Sequence, residues 1–437
     1  MYAHAVLVIL ALILAPLGAH AADLVLWWEE GYYAQEDEAV QEIIAAFEQD
    51  AGKQVELVFH PQAELPDTIA ATFDGGQPPD FAFGFWASDH IAEWALDDQL
   101  VDLSDTIGHF SDLFDPAQLD SATLLNATTG QKALYGLPIG QAPHLTHVWK
   151  SHLEQANFTL EDIPRDWEAY WSFWCDQVQP AVRQATGRDD LWGVGLPMSA
   201  EAADTENVFG EFVKAYGADY VTPDGRLTID DPEIRQALVK AIDRYTAIYR
   251  KGCTPPDAVT WGDSGNNERF LAQAVVMTPN LSLSIPNALK RERPDDYYKN
   301  TATIEWPVGP SGNPSLITAL HFGMVFRDAA NIATAEEFVR FLVGEGWLAH
   351  YLDFSGERML PAMPGLLEQP FWLDPSDPHR MAAAMQAASR PPGILRDDQV
   401  FNERVWAEAV HHVAAEGISP EQAVDEAIAR IKQILSE

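Results

Sequence analysis

The chain has 437 residues, too many for one ordinary core and suited to two lobes. Its 66 acidic residues outnumber 27 basic ones, for a formal net charge of −39. A surface that negative repels phosphate backbones, which excludes nucleic acid as a partner and disfavours anionic ligands unless a local pocket overrides the average.

The chain opens with an apolar run from Val6 to Leu14, followed by a small-x-small cleavage pattern at Ala19, His20 and Ala21. This predicts a secretory signal over residues 1–21, too short to span a membrane, with the mature protein starting at Ala22. No cysteine lies near the cut, so a soluble periplasmic protein without a lipid anchor is expected. "LVLWW" then reads as a strand. "EDEAVQEIIAAFEQDAG" places Val40, Ile43, Ile44 and Phe47 on one helical face and stops near Gly52. "QVELVF" is the next strand, "ELPDTIAATFDGGQPPD" a helix with a Gly/Pro stop, and "FAFGFW" a third strand. Such alternation predicts an α/β fold with a mainly parallel sheet, in which ligands bind beyond the carboxyl ends of the strands. "WWEEGYY", "HPQAE" and "WASDH" each occupy such an end.

Residues 132–150 and 304–314 read as crossings with Pro/Gly breaks, "AVVMTPN" and "ALHFGMVF" as strands. The tail helix is expected to begin at a Ser419 cap, with Gln422 completing a capping box. Trp167, Trp171 and Trp174 share one helix face and read as core. The two cysteines, Cys175 and Cys253, both lie in the exported part, which favours a disulfide between them; two separate buried thiols are the alternative. Their spacing makes no zinc site. His144, His147 and His152 lack a rigid ligand spacing, and on a strand the first two would face apart. No metal or cofactor is expected.

Several stretches occur together in order: "LVLWW", "AAFEQDAGKQVEL", "PPDFAFGFWASD", "ALYGLPIG", "AQAVVMTPN", "WPVGPSGNP", "TAEEFVRFLVGEGWLAHYL" and "ISPEQAVDEAIARIKQIL". In this the mature chain resembles the extracellular solute-binding proteins of ABC importers, in the sugar-binding group that includes maltose-binding protein. The resemblance implies a two-lobe periplasmic-binding-protein fold (a Venus flytrap) with the ligand cleft between the lobes. It places lobe one at residues 22–140 plus 308–362 and lobe two at 141–307 plus 363–437. It also implies hinge closure on a solute that a monomer delivers to membrane permease subunits.

A pyranose offers flat apolar faces, which need aromatic surfaces, and hydroxyls, which carboxylates bind more strongly than neutral acceptors do. Trp86 and Asp89 match positions where the family carries a stacking Trp and a hydroxyl-binding Asp. Behind the first strand, Trp28 or Tyr32 would be a platform, with Glu29 or Glu30 as acceptor; Glu64 is a weaker site of the same type and His60 weaker still. Gln141 and His144 follow the first crossing. Trp261, Asp263 and Asn280 are candidates from lobe two, and His321 follows the second crossing. The stacking Trp expected beyond Asn280 is replaced by "LSLS", which Trp261 would have to offset.

The reading is a binding protein, not an enzyme, for a neutral sugar, oligosaccharide or polyol. One alternative is a small organic cation such as a quaternary amine, held by an aromatic cage. A remote one is a secreted glycoside hydrolase with a carboxylate pair, for which adjacent Glu29 and Glu30 are poorly placed because neighbouring strand residues face apart.

Overall fold

The computed structural model describes residues 22–222, 226–312, 318–344, 346–354, 358–388 and 398–435. The expected signal segment, 1–21, lies outside the described residues. Among these, eleven strands form: β1 Leu24–Glu29, β2 Val55–His60, β3 Phe81–Phe83, β4 Thr123–Asn126, β5 Gln131–Leu134, β6 Leu137–Trp149, β7 Trp192–Val194, β8 Val275–Leu281, β9 Thr301–Ile304, β10 Thr318–Val325 and β11 Leu360–Pro361.

The first strands behave as their alternation predicts. Leu24, Leu26 and Trp28 share the buried side of β1, and β1 pairs in parallel with both β2 and β3. Between β1 and β2, helix Ala34–Ala51 buries Val40, Ile43, Ile44 and Phe47. It ends at Gly52, whose φ of 65° is left-handed and whose N–H caps Glu48. "FAFGFW" is not one strand. β3 stops at Phe83 and a short helix begins at Phe85, because Glu29 Oε2 takes the Phe85 N–H at 2.5 Å. A Cβ on Gly84 would meet Leu65 Cδ2 at 2.6 Å and Glu29 Oε2 at 3.1 Å, so a larger residue would have to push those side chains aside.

Beyond β3 the sheet is mixed. Its order is β2-β1-β3-β10-β6-β8-β7, with β9 and β11 also on β6. β10 runs antiparallel to β3 and β6, and β6 antiparallel to β8, while β7 and β8 are parallel. β6 is the pivotal element. Its first half pairs with β10 and β11, its second half with β8 and β9.

Two large apolar cores lie on either side of that strand. One is drawn from residues between Leu24 and Ile139 and between Leu320 and Met363. The other is drawn from residues between Val148 and Trp306 and between Val400 and Ile434. Trp167, Trp171 and Trp174 are buried in the second core. Cys175 and Cys253 are bonded to each other beside it. At the tail, Ser419 accepts the Gln422 N–H, but the Gln422 side chain donates to Glu426, so only half of the expected capping box forms.

Candidate functional site

Strand register places the site. β3 points along β6 toward its far half, and the β10 end carrying Leu320 and His321 lies beyond Phe83. β8 returns along β6, with Leu281 opposite His144. The carboxyl ends of β1–β3 therefore face those of β7 and β8 across the middle of β6, the place where ligands bind in such sheets. The two sides touch at both rims. Tyr33 Oη donates to the Ser284 carbonyl at 2.6 Å, and the Arg291 guanidinium lies 3.8 Å over the Tyr33 ring. On the other rim, Asn402 Nδ2 meets His90 Nδ1 at 3.4 Å.

On the first side, Trp28 is a core residue, which corrects its assignment as a platform. It is 2% exposed, packs on Phe81, Phe83 and Tyr351, and donates to the Tyr351 hydroxyl. Trp27 faces the other way, with its ring 4.7 Å from His60. Glu29 also departs from its expected role. Its carboxylate is buried and accepts from Phe85 N–H and from Arg358 Nη2 at 3.0 Å. Glu36 holds the same guanidinium at 2.8 Å. Burial pushes Glu29 up to about 7 against the pull of Arg358, and burial raises Glu36 too. Two carboxylates thus share one arginine inside the protein; both Glu29 oxygens are engaged, while Glu36 keeps Oε1 without a partner.

Glu30 and Glu64 are exposed. Both charges act on His60, whose pKa burial lowers and these carboxylates raise. Tyr32 is 48% exposed and meets Tyr33 edge-on. Trp86 and Asp89 are half-buried at the end of β3, with Trp86 packed on the first core. His321 is buried with its ring 3.8 Å from Phe85, whose ring also lies 4.0 Å from the Arg358 guanidinium.

In the middle, Gln141 donates to the Pro361 carbonyl at 2.7 Å, and its buried Oε1 has no partner. His144 Nδ1 lies 2.9 Å from Glu211 Oε1, both side chains fully buried, and His144 Nε2 has no partner. Asn280 is committed to its neighbours: Nδ2 donates to Ser284 Oγ at 3.0 Å, and Oδ1 accepts from Asn266. Asp263 accepts the Ala203 N–H at 2.5 Å and so closes the first turn of helix Ala203–Ala215. Trp261 is buried against Gly265, with Nε1 unpartnered.

Sequence reasoning missed several groups around these. Asn266 and Asn267 sit in helix Gly265–Leu271, and Asn287 in helix Ser284–Glu292. All three are buried, and Asn266 Oδ1, Asn267 Oδ1 and Asn287 Nδ2 have no partner. The visible signal was "SGNNERF" and "SIPNAL": amides placed among apolar helix positions. Asp204, partly buried, was also missed. Among the described residues, no set of three or more His, Cys, Asp or Glu is placed to hold a metal, and no helix is long and apolar enough to cross a membrane.

The model of the bacterial extracellular solute-binding protein family matches residues 42–382. YcjN of Escherichia coli (strain K12), described as an ABC transporter periplasmic-binding protein, is 22% identical over 277 residues, 63% of this chain and 59% of YcjN. The chain thus spans less than two thirds of that relative's length. A solute-binding protein of Thermotoga lettingae bound to alpha-D-tagatose superposes with a TM-score of 0.76, 17% identity, over 94% of this chain and 99% of that one. Maltose-bound MalE3 of T. maritima gives 0.74 and 19% over the same shares. These neighbours show the two-lobe periplasmic-binding-protein fold. The chain belongs to the bacterial extracellular solute-binding proteins.

Proposed function

We propose that this protein captures a neutral sugar, oligosaccharide or polyol between its lobes and delivers it to the permease of an ABC transporter. In this reading residues 1–21 direct export to the periplasm. The lobes are residues 22–140 with 308–362, and 141–307 with 363–437, a division that the two cores flanking β6 support. The carrying observation is the set of buried polar atoms without partners at the facing strand ends: Gln141 Oε1, His144 Nε2, Asn266 Oδ1, Asn267 Oδ1 and Asn287 Nδ2. Each buried hydrogen bond left unmade costs about 1–3 kcal/mol. A polyhydroxyl solute carries both donors and acceptors and would satisfy them, with Trp86 as the apolar surface. The tagatose and maltose bound by the structural neighbours support the same ligand class. Lobe closure would follow the solute's preference for the closed form.

The test is a thermal-shift screen of the mature protein, stripped of bound solute by unfolding and refolding. The probes are D-tagatose, maltose, ribitol and choline. A probe at 100 times its Kd adds about 2.7 kcal/mol of stability, a readable shift. A shift with a sugar or ribitol is expected. A shift with choline alone would replace the sugar reading by an organic-cation one, in which the carboxylates serve as counter-charges.

A further inference from the structure

The start of helix Ala203–Ala215 holds the half-buried carboxylate of Asp204. Asp263 caps this helix through the Ala203 N–H and also takes the Asp204 N–H, whereas the Asp204 carboxylate itself caps no N–H of the helix and is bonded only from the side. Its polar neighbour is the Asn266 side chain, and no cation among the described residues offsets it. Asn266 is itself buried, tied to the Pro279 carbonyl and Asn280, and leaves its Oδ1 without a partner. The location follows from the rim contacts. His90, four residues beyond Trp86, meets Asn402. Arg404, two residues on, donates to the Glu201 carbonyl, and its charge acts on Asp263. These contacts tie the segment 201–204, through residues 402–404, to His90 and so to the rim that carries Trp86 and Asp89.

We infer that Asp204, with Asn266 beside it, is a specificity-determining contact of the interlobe site, accepting a hydrogen bond from a hydroxyl of the solute or lying against a quaternary ammonium as its counter-charge. The inference rests on the solute-binding reading above and narrows it: the solute presents a hydroxyl or a cationic group, and no anionic group, at this end. An ionised carboxylate is the stronger acceptor here. Burial, then the Asp263 charge, pushes Asp204 up to about 7, and Asn266 opposes this. Tyr245, from helix Pro232–Arg250, feels the Asp204 charge, and burial raises Asp263 as well. The sign is fixed. A hydroxyl donor or a cationic group on the solute favours the ionised form, so affinity is full above pH 7 and falls toward tenfold per unit below it.

Calorimetric titration of D-tagatose, maltose, ribitol and choline into the wild-type protein, D204N and W86A, at pH 6 to 8, tests this. The expected result is that D204N weakens the bound probe tenfold or more at pH 8 and flattens the pH profile, with its melting temperature kept. Because Glu29 also titrates near 7, only the part of the profile that D204N removes counts. The amide keeps an acceptor for a hydroxyl but no charge for an ammonium. Residual D204N binding of a sugar or ribitol therefore marks a hydroxyl contact, and complete loss of choline binding marks an ammonium contact. D204N with wild-type affinity and pH profile, alongside a weakened W86A, overturns the assignment and leaves the proposed function standing. No binding of any probe to the wild-type protein overturns both.

Discussion

The two walls of the cleft handle their polar groups differently. On the first wall, Glu29, Glu36 and Arg358 pair with one another as charges inside the protein, leaving Glu36 Oε1 unbonded, and the Arg358 backbone reaches across to accept the Leu283 N–H at 3.2 Å. On the second wall, Asn266, Asn267 and Asn287 are just as buried but each keeps an atom without a partner. A buried group that is fully paired holds a shape. A buried group left half-paired calls for an explanation, and a bound solute is one. Within the stretch "WWEEGYY", Trp28 and Glu29 belong to the first kind, while Glu30 and Tyr32 are exposed.

The largest effect expected is that of Arg358→Ala. It leaves two buried carboxylates facing each other without a counter-charge, a change that costs about 3–5 kcal/mol. Urea unfolding would read it as a lower midpoint. A loss under 1 kcal/mol would mean that Glu29 and Glu36 find water in the folded protein and are not a closed triad.

Acid should separate the lobes. Glu29 titrates at about 7 when folded, against an ordinary 4.5. It therefore stabilises the fold below 4.5, and that contribution is lost as pH rises through 7. The shift corresponds to about 3 kcal/mol. The second lobe carries the reverse case. His147 shares Thr303 Oγ1 with His379. Burial pushes His147 down to about 4; burial, with the His147 charge, pushes His379 down to about 3. Both are accommodated neutral, so stability is full above their ordinary 6.5 and lost as pH falls through 4 and 3. Hydrogen exchange at pH 7 and pH 5, corrected for intrinsic rates, should show the core strands of lobe two losing protection relative to those of lobe one. Glu29→Gln should flatten the first response and His147→Asn the second. Parallel behaviour of the two lobes would sink the contrast.

Trp86→Ala should weaken solute binding by about 2 kcal/mol with the melting temperature largely kept, as for a half-buried aromatic anchor. Normal affinity in a folded variant would remove Trp86 from the site.

The fold was legible because periodicity is local. Val40, Ile43, Ile44 and Phe47 announce their helix, and the apolar run "LVLWW" announces β1. Alternation along β1 lets only one of Trp27 and Trp28 face inward, but does not say which one. That depends on Phe81, Phe83 and Tyr351, and Tyr351 comes from 323 residues further along the chain. Glu29 was misread for the same reason: its partner Arg358 is 329 residues away. Asp204 and Asn266 were invisible because an Asp in a first helical turn and an Asn pair after a turn are ordinary local features. Only the return of β8 along β6 brings Asn266, which holds the Pro279 carbonyl, to the strand end that faces β1–β3.

The smallest effect expected is also the sharpest test of closure. Tyr33→Phe keeps the ring beneath Arg291 and removes one hydrogen bond, from the hydroxyl to the Ser284 carbonyl on the other lobe. Such a bond contributes about 1 kcal/mol net. That contribution exists only while the lobes touch, so the variant should bind its solute about fivefold more weakly through faster dissociation, with unfolding in the absence of solute nearly unchanged. Stopped-flow release of the bound probe would read it. An unchanged release rate would mean that water replaces the Ser284 carbonyl without loss when the lobes part. Closing energy would then come from the solute's contacts with the half-paired wall alone, and the first wall would serve only to hold its own shape.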